Sequence, residues 1–172
     1  MSSMHQDFRE QLGALVVALA DALTQRGWLL ATAESCTGGL IAATCTDLAG
    51  SSQWFDVAVV SYSNEAKQGW LGVPNELIER DGAVSESVVR AMAEGVLARS
   101  RAHVAVAVSG IAGPGGGTAD KPVGTVWVAW AMKGQATTAT RFQFDGDRAK
   151  VRWQTCEAAL RHVLHVCSQP AV

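Results

Sequence analysis

Three short apolar runs punctuate the chain: Trp28–Ala33 (WLLATA), Val57–Tyr62 (VAVVSY) and Val104–Ser109 (VAVAVS). Each gives way at its carboxyl end to a polar or glycine-rich junction. Runs of this length and composition read as buried strands, and the uninterrupted Val104–Ser109 as one covered on both faces. Segments of helical spacing separate them. Strand–helix–strand alternation implies parallel crossovers, and those lay helices over a sheet.

Phe8, Leu12, Leu15, Val16, Leu19 and Leu23 recur at three- and four-residue steps, which predicts an amphipathic helix over about 5–25 with Gly27 at its C′ position. Glu34–Gly39 reads as the opening of a helix that runs to about Cys45. Ser63 or Asn64 can cap a helix over Glu65–Trp70, and Pro74 opens a short helical piece as its N1 residue. Ser85 can cap a helix to about Arg99, with Val88, Val89, Met92 and Val96 at helical spacing, and Asp147 can cap a last helix to about Val166. Gly124–Met132 and Thr137–Phe144 flank the turn Lys133-Gly134 as an antiparallel pair. The order is α β α β α α β, then β β α. The fold class is therefore α/β, a three-layer α/β/α arrangement with a mixed, mostly parallel five-stranded sheet. Residues 1–172 read as a single domain with its core over about 8–166, since neither a linker nor an internal repeat interrupts them.

Composition narrows the function classes. At 172 residues, 48% hydrophobic and 17% charged, the chain is of ordinary globular make-up, which excludes disorder and collagen-like repeats. A net charge of −2 without a run of like charge argues against nucleic-acid or membrane-surface partners. The longest apolar runs fall far short of the ~20 residues of a membrane span. The opening MSSMHQDFRE has no basic and apolar regions of a signal peptide, so the cytoplasm is the expected compartment. Cys36, Cys45, Cys156 and Cys167 form no CxxC, and the spacing C-x5-H-x2-H-x-C over Cys156, His162, His165 and Cys167 matches no standard zinc pattern. Helix packing explains that cluster better than a metal.

In an open α/β sheet ligands bind outside the carboxyl ends of the parallel strands. Glu34–Gly39, Tyr62–Lys67 and Ser109–Gly117 fall there. Ser35, at a strand-to-helix turn, is either a nucleophile beside free N–H donors or a helix N-cap. No GxSxG elbow surrounds it. Cys36 is a rival nucleophile, or a small buried residue. Lys67, early in a helix, meets an unfavourable dipole, and burial would lower its pKa further, so that it could act as a base toward a serine. A lone surface lysine is the alternative. Tyr62 is the chain's one tyrosine. The glycines of GIAGPGGG let backbone approach an anion, although the segment is neither a Walker A nor a GxGxxG and a tight turn explains it as well. Ser109, Lys121 and Arg148 are further candidates for anion contact.

Taken together, AESCTGG (33–39), GSSQWF (50–55), YSNEAK (62–67), GAVSE (82–86), SGIAGPGGG (109–117), KPVGTV (121–126) and GDR (146–148) resemble the CinA C-terminal domain family, in its standalone PncC-type form. The resemblance runs from about residue 8 to 166. It implies a nicotinamide-nucleotide amidohydrolase, converting nicotinamide mononucleotide and water to nicotinic acid mononucleotide and ammonia, with no metal or organic cofactor. The family's catalytic serine falls on Ser35, and its tyrosine and lysine on Tyr62 and Lys67. In the mechanism this implies, Lys67 takes the Ser35 proton, Tyr62 relays or orients it, and helix-start N–H groups hold the oxyanion. Thr37, Gly38, Ser109, Gly110, Gly115, Gly116 and Arg148 are expected to bind the substrate. Full-length relatives carry an additional nucleotide-pyrophosphatase-like domain, which is absent from this sequence, so metal-dependent pyrophosphatase activity is not expected. The alternative is an inactive nucleotide-binding module, or a competence/damage-response partner module, of the same fold. Among six tryptophans, Trp127 and Trp130 have opposite parity on one strand, and one of them offers a surface for a homodimer.

Overall fold

Valine and alanine alternate along Val104–Gly110, and that alternation organises the molecule. In the computed structural model, which describes residues 3–169, this segment is the central strand. Its Val104, Val106 and Val108 join one apolar cluster and its Ala105 and Ala107 another. The first cluster is filled by Leu12, Leu19, Ile41, Val151 and Leu160, the second by Leu71, Ile78, Val89, Met92 and Val96. Small side chains on the second face let a helix approach closely. Gly95 of that helix separately admits the end of a neighbouring helix, since a Cβ added there would lie 1.9 Å from the Leu71 carbonyl oxygen.

In chain order the elements are α1 (Ser3–Arg26), β1 (Leu30–Glu34), α2 (Leu40–Thr46), β2 (Phe55–Val60), α3 (Asn64–Leu71), α4 (Asn75–Asp81), α5 (Glu86–Ala98), β3 (Val104–Gly110), β4 (Thr125–Met132), β5 (Thr138–Gln143) and α6 (Arg148–Cys167). A short 3-10 turn, Ser51–Gln53, precedes β2. The sheet order is β2-β1-β3-β4-β5. β1 pairs in parallel with β2 and β3, whereas β4 is antiparallel to both β3 and β5.

The three-layer mixed sheet is as read from sequence, with one adjustment. Two of the four pairings are parallel and two antiparallel, with β4 the one strand that runs against the others. No helix follows β3 to carry the chain back, and the 111–124 loop returns it directly as an antiparallel neighbour. Three helices, not two, bridge β2 and β3, because the piece after Pro74 is a helix of its own with Pro74 as N-cap rather than N1. Ser63, Ser85 and Asp147 cap α3, α5 and α6 by accepting from Ala66, Val88 and Lys150 N–H. Gly27, at φ 61°, closes α1. Trp127 and Trp130 fall on opposite faces, Trp130 with its indole N–H donated to the Ala159 carbonyl. Among the described residues no helix is long and apolar enough to cross a membrane.

Candidate active site

The carboxyl ends of β1, β2 and β3 are stitched together one residue beyond the strands. Ser61 N–H donates to the Glu34 carbonyl at 2.8 Å, and Ser35 N–H to the Val108 carbonyl at 3.1 Å. Two of the three junctions expected to form the site thus meet at Ser35. The Ser63 cap starts α3 immediately after β2, which places Lys67 one turn into the helix with its side chain running back over the strand ends. Lys67 Nζ donates to the Ser61 carbonyl at 2.7 Å and to Ser35 Oγ at 3.0 Å. Only 1% of Lys67 is exposed. Burial holds its pKa below the ordinary lysine value. None of the ion pairs among the described residues involves it. A serine hydroxyl against a desolvated, unpaired amine is the arrangement that lets a lysine act as base.

Ser35 is not at a helix start. α2 begins at Leu40, and 35–39 form a turn in which Gly38 and Gly39 take φ of 59° and 94°, open only to glycine at little cost. The first-turn donors of α2 are spent on Glu34, whose carboxylate accepts from Gly39, Ile41 and Ala42 N–H at 2.9–3.0 Å. The expected helix-start oxyanion donors are therefore occupied. Cys36, 5% exposed, has its thiol pushed up to about 12 by burial, which removes it as a nucleophile at neutral pH.

The expected substrate contacts divide into two groups. Thr37 is fully buried, its hydroxyl donated to Glu34 Oε2 at 2.7 Å and its carbonyl accepting from Arg152 Nη2 at 2.7 Å. Gly38 abuts Arg152, 3.8 Å from the position of an added Cβ. Ser109, also buried, donates to the Ala83 carbonyl at 2.7 Å and so pins the 82–86 segment. Gly110 lies within β3, where a Cβ would come within 2.6 Å of Val126 Cγ2, so close strand packing accounts for it. Lys121 donates to the Asp81 carbonyl at 2.8 Å. The polar side chains among these residues are thus engaged within the protein. Gly115, Gly116, Tyr62 and Arg148 are exposed. Arg148, first residue of α6, donates to the Gly113 carbonyl and to the Tyr62 hydroxyl, each at 2.9 Å. No hydrogen bond joins Tyr62 to Ser35 or Lys67. The Tyr62 hydroxyl instead accepts from Arg148 at the surface.

Glu34, the carbonyl of Ser61 and Arg152 were not singled out from the sequence. An acid closing an apolar strand just before a helix was the available signal for Glu34. A backbone carbonyl carries no signal at all, and Arg152 acts from another element 115 residues away from Thr37. A separate groove of about 560 Å³, walled by Trp130, Phe142, Phe144 and His162, contains none of the expected site residues. His162 and His165 line it, while Cys156 packs against Thr44 at 3.7 Å, so the C/H cluster disperses. No group of three metal-ligating side chains occurs among the described residues.

Known proteins share this architecture and sequence. The nicotinamide-nucleotide amidohydrolase PncC of Enterobacter agglomerans is 52% identical over 155 residues, covering 90% of this chain and 94% of that protein. That of Escherichia coli K12 is 50% identical over 151 residues, covering 88% and 92%. The crystal structure of the competence/damage inducible protein CihA from Agrobacterium tumefaciens superposes with a TM-score of 0.88 at 43% identity, covering 92% of this chain and 96% of that one. The CinA C-terminal domain model matches residues 13–167, a span that holds Ser35, Lys67 and every other residue of the site. By that match and these identities, the chain belongs to the CinA C-terminal domain family.

Proposed function

We propose that the protein hydrolyses the carboxamide of nicotinamide mononucleotide, releasing ammonia and nicotinic acid mononucleotide, through an acyl-enzyme on Ser35. The observation that carries this reading is the 3.0 Å contact between Ser35 Oγ and the buried Lys67 amine. Names borne by the relatives at about half identity supply the substrate. The neutral amine of Lys67 accepts the Ser35 proton as Oγ attacks the carboxamide carbon. The tetrahedral adduct collapses with cleavage of the C–N bond, and Lys67 returns the proton to the departing nitrogen as ammonia. Water then gives its proton to Lys67 and attacks the ester, and Ser35 leaves with that proton restored. The steps call on side chains and water alone.

Tyr62 and Arg148 take the rim in this reading. Arg148 keeps a full charge and a planar fork suited to phosphate, and the 113–117 loop lies beside it through the Gly113 carbonyl. Tyr62 orients Arg148 instead of relaying a proton. Holding the phosphate fixes the carboxamide over Ser35, so free nicotinamide is expected to be a poor substrate. The site acts within one domain, on a small nucleotide, as a cytoplasmic enzyme.

The test is ammonia release from nicotinamide mononucleotide by the purified protein without added metal. Wild type releases ammonia, and Ser35→Ala falls to background. Binding of the nucleotide without release by wild type would replace hydrolysis with a binding module of the same fold.

A further inference from the structure

The Glu34 carboxylate is buried at the base of the site and accepts five hydrogen bonds. Thr37 Oγ1 at 2.7 Å, Gly39 N at 3.0 Å and Ile41 N at 3.0 Å reach Oε2, while Ala42 N at 2.9 Å and Thr32 Oγ1 at 3.4 Å reach Oε1. Its main chain does a second job. The Glu34 carbonyl accepts from Ser61 N–H, and the Ser61 carbonyl accepts from Lys67 Nζ. One residue is therefore tied through its side chain to the turn carrying the nucleophile and through its backbone to the anchor of the base.

An account of the N–H groups from 35 to 42 shows what this leaves free. Ser35 donates to Val108 O, Gly38 to Ser35 O and Leu40 to Thr37 O, and Gly39, Ile41 and Ala42 donate to Glu34. Cys36 and Thr37 N–H donate to no other residue among those described, Cys36 N–H meeting only its own thiol. They follow the nucleophile directly, and the N–H after a nucleophilic serine is a recurrent oxyanion donor.

We propose that Glu34 is a positioning residue for acyl transfer, holding the 35–39 turn so that the Cys36 and Thr37 N–H groups receive the oxyanion beside Ser35. This rests on the hydrolytic reading above and names the donors it requires. A donor turn held by a buried carboxylate needs no reorganisation when charge develops on the substrate oxygen. A residue serving only to cap α2 would move stability and leave the chemical step alone.

Glu34→Gln keeps the volume but turns an NH2 toward N–H donors. The expected result is a fall in kcat of about 100-fold, as for loss of an oxyanion donor, with KM within about threefold. The rate at which a fluorophosphonate labels Ser35 should fall in parallel. Thr37→Val, which removes one of the five bonds and retains both N–H donors, should lower kcat by about tenfold, and Thr37→Ser should restore it to within about twofold. That pair carries the test if Glu34→Gln does not fold. Measured well below each variant's Tm, kcat and labelling within about threefold of wild type in Glu34→Gln, or equal rates in Thr37→Val and Thr37→Ser, would overturn the proposal while the hydrolytic reading stood. A wild type that is labelled at Ser35 but inert toward nicotinamide mononucleotide, with labelling slowed in Glu34→Gln, would overturn the substrate reading and leave the positioning role supported.

Discussion

Lys67 and Arg148 are both basic side chains near the start of a helix, each behind a capping side chain, Ser63 and Asp147. Their surroundings make them opposites. Lys67 lies one turn in, beneath α3 and against the strand ends, 1% exposed and held below its ordinary pKa by burial. Arg148 lies at the first position of α6, exposed, and spends its guanidinium on a carbonyl and a phenol. A lysine that must accept a proton gains from losing water, whereas an arginine that must greet an anion keeps its charge and its fork. In the proposed mechanism chemistry and recognition sit at different depths of one site, and variants at the two depths should separate into effects on kcat and on KM.

The largest effect expected is with pH. Free amine on Lys67 increases as pH climbs through its lowered pKa, so log kcat/KM should rise with a slope of about one below that value and then level off. A profile that stays flat from the ordinary lysine value down to the acid limit of folding would remove Lys67 as base. Stability should follow the same sign. Below the folded-state pKa the amine is protonated in both states and its desolvation is felt in full. Between that pKa and the ordinary lysine value the unfolded chain binds the extra proton, so stability rises with pH across that window. Urea unfolding at several pH values measures this, and Lys67→Met should abolish that increment.

Arg148→Ala should act at the rim, raising KM for nicotinamide mononucleotide by about 10- to 100-fold with kcat changed by less. An equal loss in kcat would place Arg148 in the chemical step. Tyr62→Phe removes only the hydroxyl that accepts from Arg148, and kcat should stay within about threefold of wild type with a modest rise in KM. Steady-state kinetics showing a large kcat loss there would return Tyr62 to the proton path.

The sequence exposed the layers because they rest on local patterns. The uninterrupted apolar run of β3, the Leu12–Leu23 stripe of α1 and the Ser63, Ser85 and Asp147 caps act over a few residues, and all appear where read. Ser35 and Lys67 were legible as a pair only through motif resemblance, since their contact spans 32 residues. Where an expectation moved, a side-chain hydrogen bond did the moving. Thr37 and Ser109 are polar residues in glycine-rich segments and read as ligand contacts, yet their hydroxyls are consumed by Glu34 and by the Ala83 carbonyl. Ser35 read as a helix start because nothing local shows that a carboxylate five residues upstream caps α2 in place of Gly39.

The most direct test of the account replaces Lys67 with methionine, which fills a similar volume without an amine. Ammonia release from nicotinamide mononucleotide, nucleotide affinity by calorimetry and Tm are measured together on wild type and Lys67→Met. The account predicts a loss of turnover of at least about 100-fold, affinity within about threefold of wild type, and a Tm that is unchanged or higher because a desolvated amine is gone. Turnover that survives Lys67→Met in a folded, nucleotide-binding protein would contradict it.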